Sequence, residues 1–285
     1  MAITDPREHT ATAPSYLTVV RAPVRRRAQL AGLSFDRLTE RQVVSHVTSA
    51  LDRGQGGWIV TPNIDICYAT RHDAGLGDLV GEASLVVPDG MPLIWASRLR
   101  GDSLPERVTG ASLIWALTEA AARTGRSIYL LGGEPGVPQG AASRFRGRFP
   151  GLLVAGADAP PTGFDQTSAG ISEVRRKLVA AAPDIVFVGL GFPRQELLIE
   201  QLVPALPGAW FVGCGAAIPF VAGTLRRAPL WMQRAGLEWS FRLISEPRRL
   251  FRRYVLADLP FAAGLLLTSA AEWAWPHPAG PSRDR

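Results

Sequence analysis

Asp89 stands in Val86-Val87-Pro88-Asp89-Gly90, where a strand-like apolar run stops. A carboxylate held at a strand end ahead of a glycine faces the kind of crevice in which a general base removes a proton, although Asp-Gly is also a common turn. Thr61-Pro62-Asn63 ends another apolar run. Its hydroxyl and carboxamide suit a sugar hydroxyl or an amide, and the same two residue types cap helices. Arg107, in Glu106-Arg107-Val108-Thr109-Gly110, is a cation able to pair with Asp89 or with a phosphate. Gly132-Gly133, Gly189-Leu190-Gly191 and Gly213-Cys214-Gly215 follow three further runs. Glycines there let backbone approach a ligand, with a helix N-terminus behind them for phosphate, and ordinary strand-to-helix turns look the same. Gln195 opens a helix behind Pro193-Arg194 and offers its amide to a nucleotide or sugar, whereas Glu196 suits the helix dipole and reads as structural.

The elements that must position these residues alternate. Strand-like runs at 57–60, 84–87, 127–131, 152–155, 185–188 and 209–212 are separated by helical patterns over 65–83, 111–124, 140–148, 168–182 and 195–203. Short β-branched and aromatic strands separated by helices predict an α/β fold with a doubly wound, mainly parallel, Rossmann-like sheet. Ligands of such sheets sit beyond the carboxyl ends of the strands, near the point where the winding reverses. Thr61-Pro62-Asn63, Pro88-Asp89-Gly90 and the three glycine motifs each fall at a strand end of that kind.

Charge is unevenly distributed. Residues 223–256 hold eight arginines against two glutamates, a net +6 that equals the charge of the whole 285-residue chain. Trp231, Trp239, Phe241, Phe251 and Tyr254 interleave with Arg226, Arg227, Arg234, Arg242, Arg248 and Arg252. Rings at an interface with cations beside them suit an anionic membrane surface. A nucleic-acid face is the rival reading, and the apolar run 259–271 that follows favours the membrane. That run is shorter than the roughly 20 residues a spanning helix needs. Two cysteines, far apart, give no disulfide framework or CxxC site, and four scattered histidines with no Asp-x-Asp suggest no metal site. The first residues lack a secretory pattern and read as a polar, mobile tail.

Taken in order, Thr-Pro-Asn, Val-Val-Pro-Asp-Gly, Glu-Arg-Val-Thr-Gly, Tyr-Leu-Leu-Gly-Gly, Val-Gly-Leu-Gly-Phe-Pro-Arg-Gln-Glu and the arginine-rich segment through Arg253 resemble the WecG/TagA/CpsF glycosyltransferase family over roughly residues 30–255. The resemblance implies an inverting, metal-independent transfer of N-acetylmannosamine or a related sugar from UDP to a polyprenyl-diphosphate-linked sugar in surface-polysaccharide assembly. It implies Asp89 as the base and Thr61, Asn63 and Gln195 around the donor, with Arg227, Arg234 and Arg242 closing the site and neutralising the diphosphate. Family members usually carry Phe-Asp after the Gly-x-Gly loop, where this chain has Ile218-Pro219, so its sugar choice is open.

The expectations are therefore a tail over 1–28, an α/β glycosyltransferase domain over 29–222, an arginine-rich appendage over 223–256 and an apolar then polar tail over 257–285. The substrate-binding set is Thr61, Asn63, Arg107, Gly132, Gly133, Gly191, Gln195, Arg227, Arg234 and Arg242, with Asp89 catalytic, no metal and no cofactor. Expected partners are a UDP-sugar, a polyprenyl-diphosphate-linked acceptor and an anionic membrane, without nucleic acid; self-association into a homo-oligomer is open. The expected location is the cytoplasm, peripheral to the inner face of the plasma membrane. A nucleotide-cofactor oxidoreductase, disfavoured by the missing GxGxxG, and a non-catalytic membrane scaffold are the alternatives.

Overall fold

Ile185-Val186-Phe187-Val188 explains why the core has two halves. Successive side chains on a strand point to opposite faces: Ile185 and Phe187 join one apolar cluster, Val186 and Val188 the other. A strand buried on both faces reads as a continuous apolar run, the mark of a parallel sheet covered by helices on each side.

The computed structural model describes residues 27–274. Six parallel strands form the sheet: β3 (Gly57–Val60), β4 (Leu85–Val86), β5 (Ser127–Gly132), β6 (Leu153–Asp158), β7 (Ile185–Gly189) and β8 (Trp210–Gly213), in the order β4-β3-β8-β7-β5-β6. The chain steps outward from β3 to β4, crosses to β5 and β6, then returns to fill the centre with β7 and β8. The winding reversal that the sequence implies thus falls among β3, β8 and β7. One cluster packs α1 (Glu40–Asp52), α5 (Gly110–Thr124), α6 (Val137–Arg148) and α9 (Ala217–Ala222) through Val43, Leu113, Phe145 and Ile218. The other packs α2 (Ile64–His72), α3 (Ala74–Gly81), α4 (Met91–Leu99), α7 (Ser168–Ala181) and α8 (Arg194–Leu202) through Ile66, Val80, Ile94, Leu178 and Ile199.

Sequence periodicity did not indicate the small antiparallel pair β1 (Arg27–Leu30) and β2 (Leu33–Asp36), whose turn places Ala31 and Gly32 at positive φ. Asp36 is buried, accepts from Arg27 at 3.0 and 3.3 Å, and accepts the N–H of Val86 at 2.9 Å. It thereby ties the hairpin to edge strand β4.

Beyond α9 the chain forms α10 (Leu230–Arg234), α11 (Glu238–Ser245), α12 (Pro247–Phe251), a π-helical stretch (Arg252–Asp258) and α13 (Leu259–Ala274). The last two run on without a break, so the apolar run belongs to a longer helix. Its Arg252–Glu272 portion, 21 residues, is by length and composition alone long and apolar enough to cross a membrane. In the folded chain it is docked: Phe261, Ala262, Leu265 and Leu266 pack on the core, and Glu272 meets Arg100 at 2.7 Å. The proposed tails outside 27–274 lie beyond the described residues.

Candidate active site

Two strand-end loops and the loop between α4 and α5 are fastened to one another by backbone. The N–H of Val87 donates to Val60 O at 3.1 Å, that of Asp89 to Pro62 O at 2.8 Å and that of Val108 to Pro88 O at 2.8 Å. Thr61-Pro62-Asn63, Pro88-Asp89-Gly90 and the loop holding Arg107 therefore form one shelf. Above it opens a cleft of about 590 Å³, whose wall includes Thr61, Asn63, Asp89, Arg107, Gly191 and Gln195, together with Arg227 and Arg242 from the appendage.

Asn63 does two things. It is the N-cap of α2, its Oδ1 accepting from Ile66 N at 2.9 Å, so the capping reading holds for its oxygen and leaves the amide N–H groups for the cleft. Thr61 caps nothing: it is buried, and its hydroxyl makes no hydrogen bond among the described residues. Thr109, also in the wall, caps α5 through a capping box with Ser112.

Enclosure pushes the Asp89 carboxyl up to about 7, against the pull of Arg107; Glu238 raises it further, and Arg227 and Arg242 lower it. It is poised to change charge near neutrality, as is Asp258 of the cleft wall, which burial and the neighbouring Asp65 also push up to about 7. Arg107 pairs with Glu238 at 3.1 Å rather than being left to solvent, and Arg227 reaches the same carboxylate at 2.9 Å. Burial would raise the Glu238 carboxyl, but the two guanidiniums outweigh it and hold it below the usual range. Glu238 is a residue of the candidate site that the sequence did not single out. Arg242 lines the cleft with its Nε buried and without a hydrogen-bond partner among the described residues. A buried guanidinium donor left unpaired is costly, and an anion in the cleft would satisfy it.

Gln195 lines the cleft but is held mostly from behind. It is buried, and its Oε1 accepts from Gly191 N at 3.1 Å and Gly215 N at 3.0 Å, while its Nε2 donates to Glu196 Oε1 at 2.8 Å. The N–H groups of two glycines expected to approach a ligand are thus taken by this one side chain. A single Nε2 hydrogen remains for a ligand.

Gly132 and Gly133 are outside the cleft wall. β5 lies one strand beyond β7, so its end is displaced from the shelf. Gly132 answers a packing need: a Cβ there would fall 2.7 Å from Gly189 O, and its φ is +109°. Arg234 closes α10, and its side chain lies outside what the structure describes. At the departure noted above, Ile218 is fully buried in the core, while Pro219 contributes an uncharged ring to the cleft wall. Among the described residues no group of three or more His, Cys, Asp or Glu side chains is placed to hold a metal.

A carboxylate poised at the ends of parallel strands and ringed by arginines fits group transfer from an anionic donor, and comparison with known proteins gives the class: this is a glycosyltransferase. The glycosyl transferase WecG/TagA/CpsF family matches residues 28–274, and the chain belongs to that family. It is similar to an N-acetylglucosaminyldiphosphoundecaprenol N-acetyl-beta-D-mannosaminyltransferase of Bacillus spizizenii, 31% identical over 243 residues that make up 85% of this chain and 91% of that one. Proteins of the same name from Bacillus subtilis (32% over 199 residues, 70% of this chain and 75% of that one) and Staphylococcus aureus (28% over 229, 79% and 87%) are also similar.

Proposed function

We propose that the chain moves a hexose-type sugar, N-acetylmannosamine or a close relative, from a UDP-sugar to a sugar carried on a polyprenyl diphosphate, with inversion and without a bound metal. The observation that carries this reading is a carboxyl poised near pH 7, Asp89, set among Arg107, Arg227 and Arg242 over the strand ends. The names of the relatives give the acceptor and donor sugars their chemical class.

In the reaction, Asp89 takes the proton of the acceptor hydroxyl as that oxygen attacks the anomeric carbon. The bond to the donor's diphosphate oxygen breaks on the opposite face, and the electron pair leaves with UDP. Negative charge grows on that oxygen, so cations already in position stabilise the transition state without reorganising. Arg242, with its unpaired Nε, is best placed to gain a partner there. Thr61 and the Asn63 amide read the sugar, and Pro62 fixes the backbone between them.

The acceptor's lipid requires work at a membrane surface, which for a UDP-sugar enzyme is the cytoplasmic face. The appendage supports this: Trp231 and Ile244 are 64% and 78% exposed, and Leu256 and Leu267 of the terminal helix are 63% and 72% exposed. Exposed apolar side chains on an arginine-rich segment suit a lipid interface. The docked side of α13 favours a helix lying on the membrane.

Calorimetric titration with UDP tests the anion site. Arg242→Ala is expected to weaken UDP binding by about tenfold or more, as for loss of a charge-assisted hydrogen bond. Wild-type affinity in that variant would remove Arg242 from the diphosphate site.

A further inference from the structure

Glu196 is fully buried in the first turn of α8, and its one hydrogen-bond partner among the described residues is the Gln195 amide, with Oε2 left without any. A packing role alone does not account for a carboxyl here, because burying an acid with an unpaired oxygen opposes folding. We propose that Glu196 is a positioning residue: it fixes the amide of Gln195 so that this single side chain clamps together the two glycine loops of the cleft.

The geometry leaves one arrangement. With Gln195 Nε2 on Glu196 Oε1 at 2.8 Å, Gln195 Oε1 must face the N–H groups of Gly191 and Gly215, which stand 3.1 and 3.0 Å away. Turning the amide over would set its NH₂ against two N–H donors and its oxygen against an acid oxygen. Glu196 supplies the acceptor that makes the turned form unfavourable, and it does so whether ionised or protonated on Oε2, since Oε1 accepts in both states. Those N–H groups belong to the loops after β7 and β8, the two central strands at the winding reversal. Gly213 makes room for the pair: a Cβ there would lie 2.8 Å from Gln195 Nε2 and 2.9 Å from Glu196 Oε1. The same lock aims the remaining Nε2 hydrogen of Gln195, the only one left for a ligand.

The effect on turnover rests on the glycosyltransfer reading; the effect on the loops does not, and the experiment separates them. Amide hydrogen exchange at Gly191 and Gly215 is measured in wild type, Glu196→Leu and Glu196→Gln, together with kcat and KM for UDP release. In Glu196→Leu, exchange at both glycines should rise about tenfold or more while the melting temperature does not fall, and KM for the donor should rise about tenfold with a smaller change in kcat. Glu196→Gln, which keeps an acceptor, should stay within about threefold of wild type in both readouts. In a Gln195→Ala background, Glu196→Leu should add no further loss. Unchanged exchange at both glycines in Glu196→Leu, or losses that add to those of Gln195→Ala, would overturn the proposal. Should Glu196→Leu not fold, Gly213→Ala displaces the pair from the other side without deleting it. Faster exchange at Gly191 and Gly215 supports the lock, and wild-type exchange contradicts it. If wild type releases no UDP, exchange still decides.

Discussion

At the scale of residues, the account turns on one acid. Asp89 must be ionised to accept a proton, and enclosure holds it near 7, so kcat/KM should climb through an acid limb with an apparent pKa of about 7 and level off above it. Asp89→Asn should reduce turnover by about 10²–10⁴-fold. The same substitution should raise the melting temperature, and by more at pH 8 than at pH 5. An acid whose folded pKa is raised gives up its proton on unfolding, so between its unfolded value near 4 and about 7 stability falls as pH rises. Asparagine removes that loss, and thermal scans at the two pH values check the sign. Pro219→Asp restores a carboxylate to the cleft wall and should change the ranking of UDP-sugars, read as ratios of kcat/KM across a donor panel. Much of the candidate site's location was legible, because strand-end polar residues in a parallel sheet converge: Thr61, Asn63 and Asp89 share a shelf, which the α4–α5 loop joins with Arg107. Glu238 was not legible, since its partners lie 131 and 11 residues away and only the fold brings them together. Nor was the inward commitment of Gln195, which depends on the close approach of β7 and β8.

At the scale of elements, the appendage lines the cleft instead of merely flanking it. Arg227 and Glu238 bridge it to Arg107, Arg242 projects into the cleft, and Arg253 pairs with Asp65 on α2. Truncation after Gly223 should therefore abolish turnover and vesicle binding together, measured on the same preparation by UDP release and by co-sedimentation with anionic vesicles. Retained activity with lost vesicle binding would separate the two roles. The buried strands β3, β5, β7 and β8 were readable because apolar runs between turn residues have few alternatives. α1 was overlooked although it was legible twice over, since Thr39 and Gln42 spell its capping box and Val43, Val47, Ala50 and Leu51 recur at helical spacing. α4 was hidden because the turn reading of Pro88-Asp89-Gly90 obscured the Pro92 in its first turn. The hairpin β1–β2 was hidden because alanine occupies the first turn position, where asparagine or aspartate would have announced it.

At the scale of the whole molecule, the proposed orientation lays the cationic appendage and the apolar helix face of an otherwise ordinary α/β domain against a lipid surface. Leu256→Glu with Leu267→Glu should weaken binding to anionic vesicles while leaving UDP affinity unchanged, because both side chains point away from the cleft-bearing core. Chelation with EDTA should leave the rate nearly unchanged, and a complete loss reversed by Mg²⁺ would require a metal in the mechanism. The central claim, that Asp89 activates a lipid-linked acceptor against a UDP-sugar, is tested most directly by UDP release. The assay compares wild type and Asp89→Asn over a panel of UDP-sugars, with and without a prenyl-diphosphate-linked N-acetylglucosamine. The account predicts release by wild type that requires the acceptor and is lost in the variant; acceptor-dependent release that survives in Asp89→Asn would contradict it.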